Sequence, residues 1–406
     1  MRKKTSITMA CIIVAIIAFT ACSKLLPAMI NPEDGLCGGI SLSNAQGVLF
    51  AQGNNAFFAN FTSSTGLGPY FTATGCGSCH SSDNRGHPFT ILTRFGQSDT
   101  LGNTFLAEGA PQLGTYCLPT FTPEVLPPGA TSTRLIAPIT AGVGFLEAVP
   151  DSEILAMAAA NVNNPDGVRG HPNYDTIPSW ATLLPGAIPR GDGKYICRFG
   201  RKASVYNLLQ QVANAYNRDI GITSTYMPNN PSNYLDPTPN VTNGVPEVDN
   251  NTLNSVVFYA ECLQTPIQRN ATDSIVIYGA QVFTQIGCET CHKDTLTTGY
   301  SPISGIGYQP FSPYTDLLVH NMGPGLDDGY TEGTALTSEW RTTPLWGLGL
   351  ASQVQGGYVY LLHDGRAHSV TQAIEMHGGE AAVAEGRFAN LSPSDKTALL
   401  TFLNSL

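Results

Sequence analysis

Two five-residue stretches constrain this chain more than anything else in it. Cys76-Gly77-Ser78-Cys79-His80 and Cys288-Glu289-Thr290-Cys291-His292 both read C-x-x-C-H, and they lie about 210 residues apart. Two thiols three positions apart can form thioethers to the two vinyl groups of one porphyrin. The adjacent imidazole then meets the iron from one face. A redox dithiol or a zinc pair also uses C-x-x-C. The dithiol does not need the trailing histidine, and zinc would require two more ligands at local spacing. Two covalent c-type haems, with His80 and His292 as proximal ligands, are the reading that uses every residue of both motifs.

The leader points the same way. Residues 1–21 open with Arg2-Lys3-Lys4 and carry an apolar run from Met9 to Phe19, too short for a comfortable membrane span and typical of a secretory signal. Phe19-Thr20-Ala21-Cys22 resembles a bacterial lipobox, with Phe19 where Leu is usual. Cys22 is then the expected lipidated N-terminus, and residues 22–45 a tether. The expected location is the bacterial cell envelope, lipid-anchored and facing the periplasm or the cell surface, where haem attachment of this type takes place. If the lipobox does not work, the protein is a soluble periplasmic one.

Only 12% of residues are charged, while Gly numbers 42 and Pro 28. Such a composition suits short helices joined by long, ordered loops. The net charge is −10, and loss of a leader with three basic and no acidic residues makes the remainder more acidic. That argues against a nucleic-acid partner and suits a basic redox partner, although plain solubility accounts for it too. Outside the haem motifs and the leader, Cys37, Cys117, Cys197 and Cys262 allow two disulfides in three connectivities, or four buried thiols.

Length allows two domains: residues 46–265 around the first motif, with an insertion, and residues 266–406 around the second. Phe50, Phe57, Phe58 and Phe61 recur at near-helical spacing before Gly66-Leu67-Gly68-Pro69 breaks the helix. A helix is expected near Val205 to Tyr216. Tyr278, Val282, Phe283 and Ile286 give a stripe running into Cys288. Ser392 caps a terminal helix, Pro393 fits its first position, and Leu399, Leu400, Phe402, Leu403 and Leu406 form its buried face. Glu147 follows the apolar run Gly142-Val143-Gly144-Phe145-Leu146. This is either a buried carboxylate raised toward the range useful for proton transfer or an exposed residue starting a helix. Asp166, in Asn163-Asn164-Pro165-Asp166-Gly167, reads as a turn residue or a metal-loop ligand. The sixth ligand of either iron is open among His87, His171, His320, His363, His368, His377, Met322 and Met376. Val370, Ala373 and Ile374 predict a short amphipathic helix between His363 and His377.

At these residues the sequence resembles a known family. Tyr314 through Pro324, Glu339-Trp340-Arg341-Thr342-Thr343-Pro344-Leu345-Trp346-Gly347, His363-Asp364-Gly365-Arg366 and His377-Gly378-Gly379-Glu380 are similar to the C-terminal part of the bacterial di-haem cytochrome c peroxidase superfamily. The resemblance is to its branch called di-haem oxidoreductase, putative peroxidase. Gly66 through His80 and Arg198-Phe199-Gly200-Arg201-Lys202-Ala203 match in the same order. The resemblance implies a mainly α fold of two cytochrome c-like haem domains. It implies His377 as distal ligand of the second haem, where relatives use Met or Tyr, and bis-His ligation lowers the potential relative to His/Met. It also implies a glutamate over the first haem, Glu147 with Glu153 second, an inter-haem tryptophan among Trp180, Trp340 and Trp346, and an interface calcium. The implied activity is reduction of hydrogen peroxide, with electrons from a small redox protein or a quinol-derived donor. Three rivals stand beside it: an electron-transfer cytochrome with His87 as a sixth ligand, an iron-handling surface lipoprotein, and an oxidase of organic or protein substrates.

Overall fold

The computed structural model describes residues 42–80, 85–96, 99–236 and 245–406. The expected signal segment, Cys11, Cys22 and Cys37 lie outside the described residues, as does the tether up to residue 41. None of the described helices is long and apolar enough to cross a membrane.

Two helix crossings anchor the molecule, one ahead of each motif. The helix Asn44–Phe57 starts at Ser43, whose hydroxyl accepts from the Gln46 amide while the Gln46 side chain answers the Ser43 amide. It buries Phe50 and Phe57 and packs on the helix Asn250–Cys262. Gly53 allows this approach: a Cβ there would stand 2.0 Å from the Ser255 carbonyl oxygen. The second crossing pairs Ser274–Gln285 with Pro393–Ser405, and at Gly279 a Cβ would stand 2.1 Å from the Ala398 oxygen. Ser392 caps the terminal helix as expected, accepting from the Asp395 amide at 3.2 Å. Leu399, Phe402, Leu403 and Leu406 are buried. Tyr278 departs from its stripe: it is exposed and donates its hydroxyl to Asp395 at 2.8 Å.

The expected mainly α architecture of two cytochrome c-like haem domains is corrected. About 35% of the described residues are helical and 12% are in strands or bridges. The strands form one three-stranded antiparallel sheet, Gln112–Leu113, Leu92–Gly96 and Thr131–Leu135 in spatial order, and four two-stranded ribbons. They are two to five residues long, too short to carry a legible alternation of apolar and polar residues. With so much Gly and Pro, the chain satisfies its backbone hydrogen bonds in short ladders and turns where longer helices would break. The buried side chains gather in several clusters. One cluster gathers Phe50, Phe57, Tyr216 and Tyr259, and another Phe283, Tyr314, Phe402 and Leu403. A third, with Leu146, Ile196, Leu208, Leu318 and Trp346, draws on both sides of residue 265.

The helix expected at 205–216 runs from Leu208 to Asn214 and widens into a π turn over Ala215–Asp219. Among the described residues, no disulfide joins any two of Cys117, Cys197 and Cys262.

Candidate haem-binding site

Both motifs fold into the same single turn. The His80 amide donates to the Cys76 carbonyl at 3.0 Å, and the His292 amide donates to the Cys288 carbonyl at 3.0 Å. Residues at i, i+3 and i+4 of a helical turn share one face, so the turn presents both thiols and the imidazole on the same side. The thiols sit in apolar surroundings. Burial pushes Cys76, Cys79 and Cys288 up to about 12 each, far from the depressed values of a reactive thiolate pair.

Cys288, Cys291 and His292 open onto a cavity of about 220 Å³ that His377 also lines. His292 Nδ1 lies 2.8 Å from the Tyr314 carbonyl oxygen, and His377 Nδ1 lies 2.6 Å from the Ala373 carbonyl oxygen. A carbonyl oxygen only accepts, so each Nδ1 carries the proton. Each Nε2 then keeps its lone pair, the state an iron ligand needs. Burial pushes His292 down to about 4, with His377 as a further lowering influence, and burial also lowers His377. Both rings are therefore neutral at pH 7. His377 sits where it does because the helix Val370–Glu375, capped by Ser369, ends just before it.

The other histidines on this wall are differently employed. His320 has both ring nitrogens committed, Nε2 to Asp316 at 2.9 Å and Nδ1 to Glu380 at 2.9 Å. Against burial, which lowers it, Asp316, Cys291 and Glu380 hold His320 well above its ordinary value. Glu380 also accepts from the Asn321 amide at 3.0 Å and the Arg169 amide at 2.7 Å, so it fastens the His377–Glu380 segment to the strand Val319–Asn321. Cys291, Asp316 and His320 are the only group of three or more such side chains among the described residues whose ligand atoms lie within 4.8 Å of one another. Sulfur and nitrogen do not suit calcium, and both His320 nitrogens are already bonded. His171 bonds Glu339 at 3.1 Å, and His368 is exposed. Asp166 lies in its expected turn, with its amide on Asn164 at 2.9 Å, and pairs with Arg387.

Around the first motif, Cys76 packs against the cluster of Phe57, Tyr216 and Tyr259, and the Phe57 and His80 rings are 6.1 Å apart. The Tyr216 hydroxyl is buried with no hydrogen-bond partner among the described residues, a polar atom left over beside the place where a porphyrin would sit. His87 accepts the Phe89 amide at Nδ1, 3.1 Å away. That places a neutral ring's proton on Nε2 and leaves no lone pair there for iron. Glu147 ends the helix Val143–Glu147, whose Phe145 packs on the same cluster as Cys76. Its carboxylate accepts the Leu208 amide at 2.6 Å and hydrogen-bonds the Glu261 carboxyl. Burial, then the neighbouring Glu147 charge, pushes Glu261 up to about 8. Two carboxyls joined this way share a proton at neutral pH. Glu153, the second candidate, instead accepts the Thr297 amide at 3.1 Å. Sequence reading missed Glu261, although a lone acid after the apolar run Val256-Val257-Phe258-Tyr259-Ala260 was a signal for it.

Two turns that each present a Cys pair with a histidine, one of them facing a second neutral imidazole, define a haem-type oxidoreductase. Residues 130–406 match the family described as "Di-haem oxidoreductase, putative peroxidase", and the chain belongs to that family. The match includes the second motif and begins after the first. A solved structure of hydrazine synthase from Kuenenia stuttgartiensis, pressurised with xenon, is similar at a TM-score of 0.39 and 12% identity over 90% of each chain. No curated protein matches in sequence.

Proposed function

We propose that this protein is an exported c-type cytochrome that reduces hydrogen peroxide, with one porphyrin joined to Cys76 and Cys79 and another to Cys288 and Cys291. The observation that carries the reading is the pair of neutral imidazoles, His292 and His377, both with Nδ1 tied to a carbonyl in the cavity that holds Cys288 and Cys291. His80 would hold the iron of the first haem, and His292 and His377 that of the second. Haem, when bound, supplies the iron at which a peroxide O–O bond is split and the means of storing single electrons.

Reducing one H2O2 to two waters takes two electrons and two protons, which fits two haems and a proton-holding carboxyl pair in one chain. Glu147 holds the transferable proton at a carboxyl oxygen that it shares with Glu261, and proton transfer of this kind is typically worth about 10²–10⁴-fold. The Leu208 amide and Glu261 fix its orientation. A small redox protein or a quinol-derived donor is the electron source. Lipid attached to Cys22 holds the protein in the bacterial cell envelope. We assign calcium no residue.

The test is intact mass together with absorption and EPR spectra of the purified holoprotein, with and without hydrogen peroxide. Two porphyrin additions, one low-spin bis-His iron and one iron that responds to peroxide are expected. A mass lacking both additions would end the reading, and two irons inert to added ligands would leave only an electron relay.

A further inference from the structure

One polar atom beside the first motif has no use in anything proposed above. Tyr216 is 0% exposed, and its hydroxyl has no hydrogen-bond partner among the described residues. A buried donor left this way is costly. The residue is held in place: Phe61 meets its ring edge-on with centroids 6.0 Å apart, and the Tyr216 carbonyl accepts the Ile222 amide at 2.7 Å. Tyr216 lies in the π turn Ala215–Asp219, a widening of the helix of a kind found frequently at functional sites. That turn is laced to the chain leading into the motif. The Asp219 carbonyl accepts the Thr72 and Ala73 amides at 2.7 Å and 3.0 Å. Cys76 follows closely, packed on the cluster that contains Tyr216. At its other end the same helix gives the Leu208 amide to Glu147 at 2.6 Å. One helical element therefore anchors the carboxyl pair and carries the unused hydroxyl. Burial, then Cys76 and Asp249, pushes the phenol up, so its oxygen keeps the proton and can donate it to a hydrogen bond.

We propose that the Tyr216 hydroxyl donates a hydrogen bond to the small oxygen ligand, water or peroxide, that the first haem takes up. This rests on the covalent-haem reading above. A porphyrin brings two kinds of polar group to such a pocket: its propionate carboxylates and whatever its iron binds. The propionates stand on the edge of the ring opposite the vinyl groups. Cys76 and Cys79 mark the vinyl edge, and Tyr216 shares a cluster with Cys76, so the ligand at the iron is the acceptor that remains. The roles then divide. Glu147 has a proton to give, whereas Tyr216 keeps its own and fixes where the peroxide oxygen lies.

The test compares two probe ligands on wild-type holoprotein and Tyr216→Phe, with intact mass measured on each. Fluoride on the ferric protein accepts hydrogen bonds strongly, and carbon monoxide on the ferrous protein accepts them poorly. Tyr216→Phe is expected to weaken fluoride binding at the first haem about tenfold and to leave carbon monoxide binding unchanged, with both porphyrins still attached. Phenylalanine fills the same space and strands no partner, so the variant keeps its fold; should it not, Tyr216→Leu makes the same measurement. Equal fluoride affinities in folded proteins carrying both porphyrins overturn the hydrogen bond and leave the haem reading intact. A parallel loss of both ligands overturns it too, since Tyr216 would then only shape the pocket. A first iron that takes up neither ligand overturns it together with the peroxide reading, and a mass without porphyrin overturns the covalent-haem reading as well.

Discussion

Trp340 lies flat on His363, with ring centroids 3.6 Å apart and planes 6° from parallel. Lys202 covers the other face of the indole, its Nζ 3.9 Å from a ring centroid. The indole N–H donates to the Leu326 carbonyl at 2.7 Å. Burial pushes His363 down to about 3, opposed by Asp364 and aided by Arg366, Arg201 and Lys202, so the imidazole in this sandwich is neutral. Trp340→Ala removes the middle layer and should cost about 3–5 kcal/mol. Trp340→Phe keeps a ring and strands one carbonyl, for about 1–3 kcal/mol. Urea unfolding of the two variants checks the order, and equal midpoints would show that the stack contributes nothing of its own.

His377 and His292 make opposite demands on a substitution. His292 closes a C-x-x-C-H motif, so its loss disturbs that motif, whereas His377 stands alone after a short helix. His377→Ala should turn the second haem from low-spin to high-spin in the ferric EPR spectrum. His377→Met should restore a sixth ligand and raise the reduction potential. If the low-spin signal survives His377→Ala, another group on the cavity wall is the ligand, and Met322 is then the one to change next.

The legible parts of the sequence were those where a local rule leaves little choice. C-x-x-C-H needs one turn, and it is one turn in both places. Ser392-Pro393 starts the last helix, and Val370, Ala373 and Ile374 predicted the short one that delivers His377. What failed was set by contacts distant in sequence. The strands Leu92–Gly96 and Thr131–Leu135 pair across 35 residues or more, residue for residue from Leu92–Leu135 to Gly96–Thr131, with no hairpin signal between them. Glu147 was legible as a buried acid, but its partner lies in another helix. Arg198-Phe199-Gly200-Arg201-Lys202-Ala203 was recognisable as a family segment. Its use, Arg198 on Asp151 and Lys202 on the carbonyls of Leu336, Thr337 and Glu339, exists only once the chain has folded.

The carboxyl pair makes two separable predictions. Glu147→Gln should lower peroxide turnover by about 10²–10⁴-fold with both haem spectra unchanged, and equal turnover would remove Glu147 from the mechanism. Glu261 carries the pH dependence. Its folded value, about 8, lies above the ordinary carboxyl value of 4.5, so the folded state holds a proton that the unfolded state has lost. That stability is fully present below the unfolded value and declines as pH rises toward about 8. Glu261→Gln should flatten this part of a plot of urea midpoint against pH. A slope identical to that of the wild type would mean that the shared proton is absent.

The Asp316–His320–Glu380 triplet should matter more to stability than to redox chemistry. One buried cation stands between two carboxylates, with Nε2 and Nδ1 each 2.9 Å from an oxygen. His320→Gln leaves both acids short of their cation, and breaking such a buried pair costs about 3–5 kcal/mol. Asp316→Asn added to it should recover part of that loss, because one stranded charge is then gone. The sign of the pH effect follows from the raised value of His320. The stabilisation is fully present below the histidine's unfolded value and disappears as pH climbs through the much higher folded one. Wild type should therefore weaken on the alkaline side relative to His320→Gln. Unfolding midpoints taken from pH 6 to pH 10 decide it, and a constant gap between the two proteins across that range would mean that the ring is neutral between its carboxylates.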